Sequence, residues 1–304
     1  MYETCNICCT NGKIYLLSIR KVYVYDLISA QWSVFYEAHY HLLPCSAMAI
    51  LYNKIYCIGG GSDECIYTFD LCDDLNDDPN TRKMVKMSLP SNGSFAGRVS
   101  LGAASLGGRL ILMGGYFGEN NNEYDDGYDP KDDDATDKID IFDPSSSLFQ
   151  EDSCQKMKER RAGPGVCALD GHLYIIGGHC QHPLYNSNED ESYDIMVTKS
   201  SVESLQFEGK ELIQSSTTIE PMSVPRMDPA VAGYKGKLYV FGGLSDVNTD
   251  PRTYADSIEV YDTVDKTWTI LEEKLVGARN LSNACLLNRS LALKTINKSR
   301  FDSI

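Results

Sequence analysis

The sequence predicts an all-β fold made of one short unit repeated along the chain. Three observations carry that prediction: an apolar run ending in a glycine pair returns four times, an arginine stands at a fixed distance ahead of it, and an aromatic-Asp pair follows it.

The apolar run appears as Lys54-Ile55-Tyr56-Cys57-Ile58-Gly59-Gly60, Arg109-Leu110-Ile111-Leu112-Met113-Gly114-Gly115, His172-Leu173-Tyr174-Ile175-Ile176-Gly177-Gly178 and Lys237-Leu238-Tyr239-Val240-Phe241-Gly242-Gly243. Each run is a short strand with β-branched and aromatic residues, and a glycine pair at its end permits close backbone approach and positive φ. Weaker copies without glycines, Lys13-Ile14-Tyr15-Leu16-Leu17-Ser18 and Ser290-Leu291-Ala292-Leu293-Lys294-Thr295, bracket the four and raise the count to six.

The register is confirmed by an arginine sixteen residues before the first glycine position: Arg98 before Gly114, Arg161 before Gly177, Arg226 before Gly242 and Arg279 before Thr295. The same count lands on Leu43 in the second unit and on Met1 in the first. Beyond the glycines come Val24-Tyr25-Asp26, Thr68-Phe69-Asp70, Ile141-Phe142-Asp143, Val260-Tyr261-Asp262 and Arg300-Phe301-Asp302, and in three units an aromatic, Trp32, Phe149 or Trp268, stands six residues past the Asp. Short apolar runs separated by turn residues, with no helical period, predict about four strands per unit. The expectation is a single domain over 1–304, with units at about 1–42, 43–97, 98–160, 161–225, 226–278 and a truncated 279–304.

Gly-Gly, then Tyr-Asp, then Trp six residues on, then an arginine opening the next unit, resembles the kelch repeat of β-propellers, and the resemblance covers essentially the whole chain. It implies a six-bladed kelch β-propeller with an incomplete sixth blade. The run from Arg161 to Gly178 is similar to the kelch domains of BTB-kelch ubiquitin-ligase substrate adaptors. That likeness implies a module that binds a protein partner or acidic peptide motif, with cullin ligase machinery reached through a separate domain or chain, because residue 1 already falls in the first unit.

Composition narrows the function. Twenty-eight Lys and Arg against 43 Asp and Glu leave a net charge of -15, which repels phosphate backbones and anionic membrane surfaces. The N-terminus shows no basic or apolar leader segment, which predicts a cytoplasmic protein, and eleven scattered cysteines predict reduced thiols. No nucleophile elbow, phosphate loop or zinc-protease motif is present, so a non-enzymatic protein without cofactor is expected. The Asp125-Asp126-Gly127-Tyr128-Asp129 run and the His179-Cys180-Gln181-His182 cluster only faintly resemble metal sites, and no metal is expected. Alternatives of other classes are an axial enzyme site, as in propeller copper oxidases or sugar epimerases, and binding to actin.

The candidate interaction surface is the face reached after the glycine pairs, where long insertions begin at Tyr116, His179 and Leu244. The first of them, with Glu119, Glu123, Asp125, Asp126, Asp129, Asp132, Asp133, Asp134 and Asp137, is strongly acidic. Partner-binding residues are assigned to Arg98, Arg161, Arg226, Arg279, Tyr116 and His179. The resemblance implies that the arginines hold acidic peptides. Their recurrence also fits a purely structural role, each pairing with a carboxylate or a loop carbonyl.

Overall fold

In the computed structural model the described residues are 6–10, 13–17, 21–26, 29, 31–37, 47–59, 65–71, 84–88, 98–117, 135–150, 156–186, 191–209, 211–215, 219–246 and 253–275. The expected sixth unit, with Arg279 and its truncated end, lies outside them, as do the acidic insertion 118–134 and its faint calcium-like run.

Five four-stranded antiparallel sheets follow one another along these residues. The first holds Asn6–Thr10, Lys13–Leu17, Lys21–Asp26 and Gln31–Glu37; the second Ala47–Leu51, Lys54–Ile58, Cys65–Asp70 and Val85–Ser88. The third holds Gly102–Leu106, Arg109–Met113, Ile139–Asp143 and Leu148–Phe149, and the fourth Gly165–Leu169, His172–Ile176, Val202–Glu208 and Glu211–Gln214. Ala230–Tyr234, Lys237–Phe241, Ile258–Asp262 and Thr267–Ile270 make the fifth.

The second strand of the second to fifth sheets is the glycine-pair run, and it is largely apolar because both of its faces are covered. Leu110, Ile111, Leu112 and Met113 are all fully buried. Leu110 and Leu112 pack toward the second sheet with Ala47, Ile58 and Ile66, while Ile111 and Met113 pack toward the fourth with Val166, Leu173 and Leu205. Similar apolar clusters join the first sheet to the second and the fourth to the fifth. Sheets stacked face on face in chain order are a β-propeller, as the repeat predicts.

The first strands of successive sheets pack on one another, so they lie innermost. Crowding there explains their small residues: Gly102-Ala103-Ala104, Gly165-Val166-Cys167-Ala168 and Ala230-Val231-Ala232-Gly233. A β-carbon on Gly165 would stand 2.5 Å from Val231 Cγ2 and 2.8 Å from the Pro229 carbonyl oxygen of the next sheet.

The aromatic-Asp marker is the hairpin between third and fourth strands. Tyr25 stands directly across from Trp32, Phe142 from Phe149 and Tyr261 from Trp268, with ring centroids 5.0, 5.1 and 5.1 Å apart. The Asp between them ties the turn: Asp262 Oδ1 accepts from the backbone N–H of Val264 and Asp265, and Asp143 Oδ1 from that of Ser145. The fixed interval from Asp to aromatic is therefore a turn length.

Candidate functional site

Strand direction places the glycine pairs, the arginines and the long insertions on one face, with the hairpin turns at Asp143 and Asp262 on the other. The described ends of the insertions are paired strands. Tyr116–Phe117 pairs with Arg98–Val99, Leu244–Asp246 pairs with Thr253–Tyr254, and His179–Asn186 pairs with Glu191–Thr198 in an eight-residue ribbon. The sequence offered little sign of this ribbon, because Pro183 sits within it and polar residues fill its far end.

Arg98, Arg161 and Arg226 are fully buried. Each guanidinium donates to the carbonyl sixteen residues on, Gly114, Gly177 or Gly242, at 2.7 Å in all three. Each donates again to the carbonyl just ahead of the third strand, from Lys138, Ser201 or Ser257. Each also meets a carboxylate inside that strand: Arg98 with Asp140, Arg161 with Glu203 at 3.0 Å and Arg226 with Glu259 at 3.0 Å. Burial pulls the Arg98 and Arg226 pKa values down, against the raising effect of these carboxylates. The carboxylates do more: Glu203 accepts from the Lys158 N–H at 2.6 Å, and Glu259 from the Ser223 N–H at 2.7 Å.

Arg98, Arg161 and Arg226, expected to meet an acidic peptide, thus direct their charge to groups of their own unit. The constant interval of sixteen is a strand-length condition, since the side chain must meet the carbonyl that ends the second strand. Their backbone also reaches the preceding sheet, for the Gly115 N–H donates to the Arg161 carbonyl at 2.8 Å and the Gly178 N–H to the Arg226 carbonyl at 2.7 Å. Positive φ at Gly177 and Gly178, 64° and 91°, and the closeness of the Arg226 carbonyl to the first and of the Ala162 carbonyl to the second exclude a side chain at either position.

The carboxylate partners escaped the sequence reading, yet a signal exists. In three of the four units with an arginine, the third strand carries an acid three residues before the Asp or Gln that closes its motif, Asp140, Glu203 and Glu259, while in the sixth unit Ser299 holds that place. In the first and second units, which have Met1 and Leu43 at the arginine position, that place is taken by Tyr23 and Tyr67. A lone charge in an apolar strand needs a partner, and the partner recurs with it.

Of the other expected contact residues, Tyr116 is half-buried and held by its backbone to Val99. His179 is 5% exposed, bridged through its backbone to Ala162, with its pKa pushed down to about 4, chiefly by burial. Both stand at the root of their ribbons. Cys180 follows as a partly buried free thiol, and among the described residues no three His, Cys, Asp or Glu side chains come together to hold a metal.

At the innermost edge of this face Ser100, Gly163 and Asp228 occupy equivalent places, two residues after each arginine, with φ of 52°, 57° and 49°. The Gly163 N–H donates to the Ser100 carbonyl at 2.7 Å and the Asp228 N–H to the Gly163 carbonyl at 2.9 Å. Sheet is thereby linked to sheet at the entry to the innermost strands.

Comparison with known proteins agrees with this architecture. The Kelch motif family model matches residues 160–194 and 225–274. The chain is 26% identical over 254 residues to the Kelch repeat and BTB domain-containing protein A55 of Vaccinia virus (strain Western Reserve), covering 82% of this chain and 37% of that protein. It is 27% identical over 172 residues to the Kelch repeat and BTB domain-containing protein 1 of Cowpox virus (strain GRI-90 / Grishak), covering 46% of this chain and 29% of that protein. The chain thus spans well under half the length of these relatives. The solved structure of YjhT shares the fold, with a TM-score of 0.69 at 14% identity over 93% of this chain and 87% of that one. The chain has a β-propeller fold, carries kelch motifs in its fourth and fifth units, and is similar to the viral BTB-kelch proteins.

Proposed function

We propose that this propeller recognises a protein partner through the glycine-pair face and serves as the substrate-reading part of a cullin-type ubiquitin ligase, with the BTB function supplied from outside the residues given. One observation carries the reading: units three, four and five all send their insertions to the same face, and the fourth extends an eight-residue ribbon there. A rigid stack of sheets carrying long ribbons on one side is a surface suited to recognition, while the strands beneath need only pack. The names of the viral relatives, which join kelch repeats to a BTB domain, support the ligase element.

The test is capture of partners from cell extract by the full chain, compared with a variant in which residues 184–193 are replaced by a two-residue Asn-Gly turn. Loss of a specific partner in the variant, and ubiquitination of that partner when a BTB protein and cullin are supplied, is the expected result. Partners retained equally by the shortened ribbon and by a chain shortened within 118–134 overturn the assignment of the face. Retention of filamentous actin alone replaces it with a cytoskeletal role.

A further inference from the structure

We propose that the channel mouth on the glycine-pair face receives a basic side chain of the protein partner, an ammonium or guanidinium group, with the Asp228 carboxylate as its counter-ion. The proposal rests on the partner-binding reading of that face and supplies the chemistry of the group recognised.

Asp228 is placed by backbone geometry. It follows Arg226 by two residues, enters the innermost strand Ala230–Tyr234, and is tied through its N–H to Gly163. Its carboxylate lies over Gly163, whose missing side chain leaves the room: a β-carbon there would collide with Asp228 Oδ1. The equivalent residues, Ser100 and Gly163, carry no charge.

The carboxylate is unsatisfied where its neighbours are not. Asp140, Glu203 and Glu259 each hold an arginine, but the Asp228 side chain makes no hydrogen bond or ion pair among the described residues. The nearest guanidinium in sequence, Arg226, is committed to Glu259, Ser257 and Gly242. Asp228 keeps partial contact with solvent while protein surrounds it, the situation of a group lining a channel, and burial pushes its pKa up to about 7. Asp228 also takes a left-handed φ of 49°, which glycine or asparagine would adopt at less cost. An uncompensated carboxylate in a strained position at the mouth of a channel is the signature of a group whose partner arrives from outside.

The partner's chemistry follows from what surrounds it. One carboxylate flanked by a serine and a glycine supplies too few oxygens for a calcium ion, which takes six to eight. A single ammonium or guanidinium needs only one carboxylate and neighbouring carbonyls. The net charge of -15 steers a basic segment toward this chain and repels an acidic one.

Fluorescein-labelled hexalysine, acetylated and amidated, is titrated into the full chain by anisotropy at ~0.15 M salt, with hexaglutamate as the opposite probe. The same titration is run on Asp228→Asn and on the triple variant Asp132→Asn, Asp133→Asn, Asp134→Asn. Loss of one charge-assisted contact predicts about tenfold weaker hexalysine binding for Asp228→Asn and a change below about threefold for the triple variant. Asp228→Asn within about twofold of the parent chain, or a preference for hexaglutamate, overturns the proposal. Urea denaturation confirms that Asp228→Asn folds, since loss of an unpaired buried charge does not weaken the fold. A partner captured through the ribbon yet indifferent to Asp228→Asn overturns this inference and leaves the assignment of the face standing.

Discussion

Arg161 and Asp228 show how differently two charged side chains on one face can be held. The Arg161 guanidinium is surrounded by Gly177, Ser201 and Glu203, and its removal strands the Glu203 carboxylate in the interior. Arg161→Ala is expected to cost about 3–5 kcal/mol of stability, measured by urea denaturation, the range for breaking a buried pair by removing one partner. Loss of partner affinity at unchanged stability would return Arg161 to the role the resemblance suggested. Asp228 behaves oppositely. Its folded pKa of about 7 lies above the ordinary carboxylate value of 3.8, so the folded state binds a proton more tightly than the unfolded one, and stability falls as pH rises through that window. Asp228→Asn should therefore add about 1–3 kcal/mol at pH 8 and little at pH 4, the partial solvent exposure of Asp228 keeping the gain below the full linkage value. An equal gain at both pH values refutes the charge explanation. The sequence marked Arg161 through its repeated interval but held no sign of Asp228, because nothing local distinguishes a carboxylate solvated in a turn from one enclosed against the neighbouring sheet.

At the scale of elements, the strands were readable wherever a strand carries its own chemical rule. The second strand announces itself by continuous apolar residues and a glycine pair, and the third-to-fourth hairpin by Tyr261-Asp262 and Trp268. The ribbon His179–Asn186 with Glu191–Thr198 was not readable, since Pro183 interrupts its first strand and its sequence shows no regular apolar alternation. The innermost strands add a rule visible only once neighbours are in place, for their small residues answer to the adjacent sheet. Gly165→Ala, in a position with ordinary φ, is expected to destabilise by about 1–3 kcal/mol through overpacking. Val231→Ala in the same chain should restore only part of that, because the Pro229 carbonyl oxygen still stands 2.8 Å from the new methyl. Full restoration, measured in the same denaturation series, would show that the crowding is a side-chain matter alone.

Across the whole molecule, apolar clusters bridge every neighbouring pair of the five described sheets, so no junction among them is an obvious place to come apart. The two tryptophans report on opposite ends of this stack, Trp32 in the first sheet and Trp268 in the fifth. Single-tryptophan chains, Trp268→Phe and Trp32→Phe, are expected to show the same urea dependence of fluorescence relative to midpoints measured by circular dichroism on the same variants. Divergence between fluorescence and circular dichroism in either variant would mean that the stack unfolds in parts.

The paired bonds of each arginine set which lengths of chain can vary. Between Arg161 and Gly177 the guanidinium must reach the carbonyl that ends the strand, and an added residue would carry that carbonyl out of reach. Between the glycine pair and the next aromatic-Asp motif the bonds join the two ends, as where the Gly114 N–H donates to the Lys138 carbonyl, and the length between them varies: eleven residues separate Gly59 from Asp70, twenty Gly242 from Asp262 and twenty-nine Gly114 from Asp143. One stretch behaves as a gauge and the other as slack. New surface can be written into the slack in any length, by evolution or by a protein engineer, without altering a bond that holds the sheets together.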